Sequence, residues 1–336
     1  METGIRPLSL GEILDRTAFL YRSNFLLFAG IFAVYAGLLL VFGLAQLGVT
    51  SLVNFAQAAV AVKILLVCAT IAEWFFIIAA AGITTAAINR AVAWVNLGQP
   101  ATIASAYKSV LPRTGRYIWL MAIMYSMIGW PVILLGVIFG GVVFSIPGLM
   151  SGHIDANNKG TVITLLAAAV LFALCSLGWF VYAVIMGIRY SLAVPVCVME
   201  DLKARASIKR SILLTKGSRG RIFVLFLLVM AIEIGLSTVS QGFLIVLAIK
   251  HHGQVGPVAQ SIAQIVSFFT NSFLGPIYAT GITLFYYDQR IRKEGFDIEW
   301  MMHSAGLSAP QEAAVASIMP VPTTSEPLPG TESAHE

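Results

Sequence analysis

Long apolar runs separated by short charged segments set the pattern of this chain. Six runs, at about residues 25–47, 64–88, 117–145, 162–188, 222–249 and 258–285, are each long enough to cross a bilayer as a helix. A hydrocarbon core of ~30 Å needs about 20 residues at ~1.5 Å rise each. The pattern predicts an all-α, polytopic integral membrane protein with six transmembrane helices. The even-numbered runs keep their helical character past the expected edge of the lipid, to about Val95, Met199 and Arg292. From Val162 to Met199 the chain would be ~57 Å long as one helix. It must tilt, project or break, and Pro195 is the expected break.

A shorter amphipathic segment precedes each odd-numbered run: Ser9–Ser23, Thr102–Arg116 and Asp201–Arg221. In the first, Ser9 and Glu12 have capping-box spacing, so hydroxyl and carboxylate can satisfy free amides of the opening turn. Leu10, Ile13, Leu14, Thr17 and Tyr21 share one helical face, with Glu12, Asp15, Arg16 and Arg22 elsewhere. Gly82-Ile83-Thr84, Gly187-Ile188-Arg189 and Gly281-Ile282-Thr283 recur at separations of 105 and 94 residues, near the ends of the even runs. Together these features predict three elbow-plus-hairpin repeats across residues 1–300. Basic turns at regular intervals in any hairpin protein are the alternative. The tail, residues 303–336, has no Lys or Arg and no apolar periodicity, and is expected to be disordered.

Composition excludes an ordinary soluble domain. Hydrophobic residues make up 58% and charged residues 11% of the 336-residue chain, against about 45–50% and about 25% in soluble proteins. The net charge of +5 matters less than its placement. Of 21 Lys and Arg, 18 fall before run one, between two and three, between four and five, or after six, leaving Lys63, Lys159 and Lys250 opposite. The positive-inside rule then puts both termini in the cytoplasm of a cell (inner) membrane. The first 20 residues carry Glu2, Arg6, Glu12, Asp15 and Arg16, which is not the pattern of a cleavable signal. Cys68, Cys175 and Cys197 sit in apolar runs without CxxC spacing and read as buried structural thiols.

Two sets of residues could carry chemistry. Glu73 and Glu233 lie near the middle of runs two and five, where a carboxylate costs some 2.5–3.5 kcal/mol or more. They could form a proton or cation site, helped by Asn271 and Gln241, or act as protonated structural glue. Lys203, Arg205, Lys209, Arg210, Lys216, Arg219 and Arg221 place seven cations in the third elbow. Such density attracts anionic lipid headgroups at about 1 kcal/mol per charge, or simply sets topology. The adjacent pair His251-His252 is a poor metal site, since neighbouring residues on a helix point apart. No P-loop, GxSxG, HExxH or CxxC occurs, so no metal, cofactor, nucleic-acid partner or enzymatic activity is expected.

The segment Arg6-Pro7-Leu8-Ser9-Leu10-Gly11-Glu12-Ile13-Leu14-Asp15-Arg16 with Leu20-Tyr21-Arg22 carries a resemblance. So do Pro195 with Glu200, Arg210-Ser211 with Leu214 and Gly217, and the collar Tyr286–Asp297. Over about residues 5–300 the chain resembles the membrane domain of the glycerophosphoryl diester phosphodiesterase membrane-domain family. The resemblance implies a stand-alone membrane domain. None of the five His is followed by Arg-Gly, the signature of that family's catalytic part, and about 40 residues after Asp297 cannot hold a barrel of ~250. Phosphodiesterase activity is therefore not expected. The leading expectation is a non-enzymatic membrane protein that organises lipids or partner proteins at the cytoplasmic face. The alternative is a small transporter or channel using Glu73 and Glu233.

Overall fold

A computed structural model describes residues 7–53, 59–144, 159–250 and 256–295. The expected tail and His251-His252 lie outside the described residues, as does the side chain of Gln241. Among the described residues there is no strand, and the chain is helical almost throughout. In order, the helices are α1 (Leu10–Ser23), α2 (Phe25–Leu52), α3 (Val60–Asn96), α4 (Ile103–Val110) and α5 (Thr114–Phe144). They continue with α6 (Lys159–Tyr190), α7 (Ala193–Met199), α8 (Ala204–Thr215), α9 (Arg219–Lys250) and α10 (Pro257–Glu294).

Five helical stretches are long and apolar enough to cross a membrane: Phe25–Leu52, Val60–Asn96, Ile103–Gly141, Val162–Met199 and Arg219–Thr238. This is the signature of a multi-pass membrane protein. The sixth expected span differs. α10 is 38 residues long, but Gln260, Ser261, Gln264, Ser267, Thr270, Asn271 and Ser272 dilute its apolar character below that of the other five. α10 is thus long enough to span but less apolar than the other five.

The packed core gathers at one end. Ile13, Leu20, Phe28, Ile31, Ile88, Val92, Tyr117, Leu120, Leu192, Val196, Leu214, Ile222, Phe285 and Tyr286 are all buried in one cluster. Away from it, no residue in the most apolar stretch of α5 or α6 is buried. Acyl chains are the solvent that such surface requires. Cys68 and Cys175 belong to it: both are exposed, and only Cys197 is buried, so the expectation of three buried thiols holds for one.

Backbone breaks follow proline stereochemistry. The expected break at Pro195 occurs earlier, at the Ser191-Leu192 turn between α6 and α7. A proline ring collides with the carbonyl four residues before it, and its missing N–H is harmless in the first turn of a helix. α6 therefore ends at Tyr190, and Pro195 sits third in α7. Inside α5, Pro131 leaves the Met127 carbonyl without its helical donor. The Tyr182 hydroxyl of α6 donates to that carbonyl at 2.9 Å, and Trp179 Nε1 donates to the next one, Ile128, at 3.0 Å.

Candidate functional site

The elbows fold as their sequence dictates. Ser9 caps α1, with its Oγ accepting from the Glu12 amide at 3.2 Å and the Glu12 carboxylate accepting from the Ser9 amide at 2.7 Å. Thr102 and Ser105 make the same reciprocal cap at α4. α8 starts without a side-chain cap, on Lys203. Its other end is closed from outside: Lys293 Nζ donates to the carbonyls of Leu213, Leu214 and Lys216 at 3.2, 2.7 and 2.7 Å. A cation at these carbonyls meets the negative end of the helix dipole. Burial pulls the Lys293 pKa down.

Around the elbows, acidic residues pin the basic end. Asp288 is buried, and its carboxylate accepts from the Leu8 amide at 2.8 Å and from Gln289 Nε2 at 3.0 Å. It also accepts from Arg292 Nε at 2.9 and 3.0 Å and from Arg221 Nη1 at 3.1 Å. The same two guanidiniums donate to the Leu8 carbonyl at 2.7 and 2.8 Å, and Arg221 stacks 5.3 Å above the Phe285 ring. Glu200 accepts from Arg210 Nε at 2.9 Å and from the Tyr286 hydroxyl at 3.1 Å. Arg210 reaches on to Glu294 at 2.5 Å, which Arg290 also holds at 3.2 Å. Asp201, at φ 56°, accepts from Arg116 at 2.5 Å and pairs with Arg113. Burial, then the charge of Glu200, holds the Tyr286 phenol far above its usual pKa, and burial pushes Tyr287 up to about 12.

Two expectations change here. The start of the Tyr286–Asp297 collar is internal, not interfacial: Tyr286, Tyr287, Asp288 and Gln289 are buried, while Arg292, Lys293 and Glu294 are exposed. Of the seven elbow cations, Arg210 and Arg221 are consumed in these ion pairs. Lys203, Arg205, Lys209, Lys216 and Arg219 are exposed. On that outer face Leu213, 62% exposed, lies between Lys209 and Lys216.

The intramembrane acids part company. Glu233 and Asn271 meet across α9 and α10 in a groove of about 320 Å³, lined also by Ser237, Ser267 and Thr270. Glu73, on α3, is not among its walls. This groove therefore brings Glu233 and Asn271 together without Glu73.

Some polar groups escaped the sequence reading. Buried Asn89 donates to the Thr85 carbonyl at 2.7 Å and accepts from Thr283 Oγ1, locking α3 to α10. Tyr107 ties α4 to α2 through the Ile31 carbonyl at 2.8 Å. Among the described residues, the Tyr117 hydroxyl and the Nε atoms of Arg90 and Arg189 are buried without a hydrogen-bond partner. No local spacing marks Asn89 or Tyr107, because Thr283 and Ile31 lie on helices distant in sequence.

No family model matches this chain, and neither does any curated protein or solved structure.

Proposed function

We propose that this is a non-enzymatic multi-pass protein of the cell (inner) membrane that organises anionic lipids or partner proteins at the cytoplasmic face. In this reading α10 is the sixth span, both termini are cytoplasmic, and the elbows and hairpins are three repeats. The proposed affinity is with the membrane domain of the glycerophosphoryl diester phosphodiesterase membrane-domain family. The residues that suggested that likeness, Leu8, Ser9, Glu12, Glu200, Arg210 and the collar, are the ones that brace the basic end.

One observation carries the proposal. Five cations and an exposed leucine sit on the outer face of α8 and its flanks, while the remaining elbow arginines are spent on holding that face in place. Exposed Lys and Arg beside an insertable apolar side chain suit an anionic interface, at about 1 kcal/mol per charge near the surface. The order short helix, long helix, long helix recurs from α1, α4 and α8, which supports the repeat. Of its marker glycines, Gly82 and Gly281 are closely packed and Gly187 is in open space. The transport reading needs both acids in one path, and Glu73 lies outside the Glu233 groove.

The test uses full-length protein, delipidated in detergent, with thermal unfolding followed as phosphatidylglycerol or phosphatidylcholine is added. Phosphatidylglycerol is expected to raise the midpoint in low salt and less so in 500 mM salt, because exposed charges are screened. Changing Lys203, Arg205, Lys209, Lys216 and Arg219 to Gln should remove the difference between the lipids. Equal effects of the two lipids on the unaltered protein would overturn the proposal.

A further inference from the structure

The groove between α9 and α10 holds an acidic side chain without a basic neighbour in its walls. Glu233 lies in the apolar stretch Arg219–Thr238 of α9, twelve residues and ~18 Å along the helix from Arg221. Among the described residues its carboxyl has no hydrogen-bond or ion-pair partner, and neither Lys nor Arg lines the groove. A bare carboxylate at that depth is strongly disfavoured, so it requires a compensating positive charge or a proton.

The neighbouring groups decide what kind of charge fits. Thr270 Oγ1 donates its proton to the Val266 carbonyl at 3.0 Å, and Ser237 Oγ donates to the Ile234 carbonyl at 3.0 Å. Asn271 Nδ2 donates to the Ser267 carbonyl at 2.8 Å. The Thr270 bond commits that hydroxyl's proton to its own helix and leaves its oxygen as an acceptor. Asn271 keeps its Oδ1 and its second N–H for further contacts. Glu233, Ser267, Thr270 and Asn271 line the groove with oxygen-bearing side chains, one of them a carboxyl.

We infer that the Glu233–Asn271 groove binds a monovalent cation that takes oxygen ligands, either an alkali ion or a small primary ammonium group. One positive charge leaves the groove neutral, whereas a divalent ion would strand a net charge in a low-dielectric region. Oxygen donors without Cys or His exclude the soft metals. At about 320 Å³ the groove also admits several waters, each ~30 Å³ in the liquid, to complete the coordination of a small ion. This inference goes beyond the lipid-organising role and does not rest on it.

The measurement is thermal unfolding of the full-length protein in detergent at pH 8 and constant ionic strength. Sodium, potassium and methylammonium chlorides are compared with the chloride of N-methylglucamine, a secondary ammonium carrying a polyol chain. At least one small cation should raise the midpoint with a saturable dependence. Sodium or potassium responding alone assigns an inorganic ion, and methylammonium responding alone assigns an ammonium group. Protons compete for the same carboxylate, so apparent affinity should fall by up to tenfold per pH unit once Glu233 begins to protonate. Glu233→Gln should abolish the response, Asn271→Leu should weaken it at least several-fold, and Glu73→Gln should leave it intact. Identical midpoints in all four salts for the unaltered protein, a comparison that needs no variant to fold, overturn the inference. Persistence of the response in Glu233→Gln would overturn it equally.

Discussion

Arg221 and Asp288 are 67 residues apart in sequence and 3.1 Å apart in space, and between them they grip the backbone of Leu8. The carboxylate takes the Leu8 amide and the guanidinium takes the Leu8 carbonyl. The segment ahead of α1 is thus bonded to the start of α9 and the end of α10 through a single residue.

Asp288→Asn should loosen that junction. Removing one partner of a buried pair leaves uncompensated charge, which costs about 3–5 kcal/mol when both partners are buried. Arg221 and Arg292 keep 29% and 40% exposure, so solvent softens the loss toward ~2–3 kcal/mol. Thermal unfolding in detergent should show a lowered midpoint, and limited proteolysis should reach the chain near Leu8 sooner. An unchanged midpoint would mean the junction contributes nothing to stability.

Gly82 and Gly187 occupy matching places in the expected repeat but should respond oppositely to alanine. A Cβ on Gly82 would lie 3.1 Å from the Tyr117 carbonyl, whereas one on Gly187 meets nothing within 4 Å. Gly82→Ala forces α3 and α5 apart at a cost of about 1–3 kcal/mol. Gly187→Ala gains about 0.5–1 kcal/mol from reduced backbone freedom in the unfolded chain. Unfolding midpoints of the two variants should fall on either side of the parent's.

Tyr182→Phe tests the repair of Pro131. The substitution keeps the ring and deletes the hydroxyl that serves the Met127 carbonyl. An interhelical bond of this kind in lipid is worth roughly 0.6–2 kcal/mol. A destabilisation in that range is expected, and it should vanish when Pro131 is replaced by Ala, since the helix then supplies its own donor. Additive effects of the two substitutions would refute the pairing.

What the sequence made legible was whatever a helix advertises within a few residues of itself. Five of the six apolar runs, the Ser9–Glu12 cap and the short helix after Thr102 depend on local spacing, and the structure shows them. Pro195 signalled a break but not its position, since the clash falls four residues upstream. Arg221 looked the same as Lys209 in sequence because its partner, Asp288, approaches through the fold. Glu73 and Glu233 were joined by depth alone, and depth does not specify which helix faces which.

Alkaline pH should weaken the basic end through its phenols. Tyr286 and Tyr287 are both held above the ordinary phenol value, Tyr287 at about 12. A raised folded pKa means the contribution to stability is complete below about pH 10, where unfolded tyrosine is still protonated. It declines above that, as the unfolded state releases protons that the folded state retains. Lys293, whose pKa is lowered, acts in the opposite sense as pH rises toward its unfolded value. The clean readout is therefore the difference between the parent and Tyr286→Phe with Tyr287→Phe. The parent's midpoint should fall more steeply than the double variant's between pH 10 and 11, and parallel profiles would contradict the assignment.

The sharpest contrast lies between two cations of the same elbow. Lys209 is exposed and without an acidic partner among the described residues, so Lys209→Gln removes a charge but no structural bond. Surface substitutions of this sort stay within about 0.5 kcal/mol. Arg221→Gln removes the same charge, and with it the Asp288 pair, the Leu8 carbonyl contact and the stack on Phe285. It should cost ~2–3 kcal/mol, as truncating one member of a buried pair does, reduced because Arg221 is partly exposed. Stability and lipid response then separate. Lys209→Gln should leave the unfolding midpoint in detergent unchanged while reducing stabilisation by phosphatidylglycerol. Arg221→Gln should lower the midpoint and leave the lipid increment near the parent's, because its guanidinium faces Asp288 rather than the surface. If both substitutions moved the two readouts in the same proportion, the division of the elbow into bracing and displayed cations would be wrong.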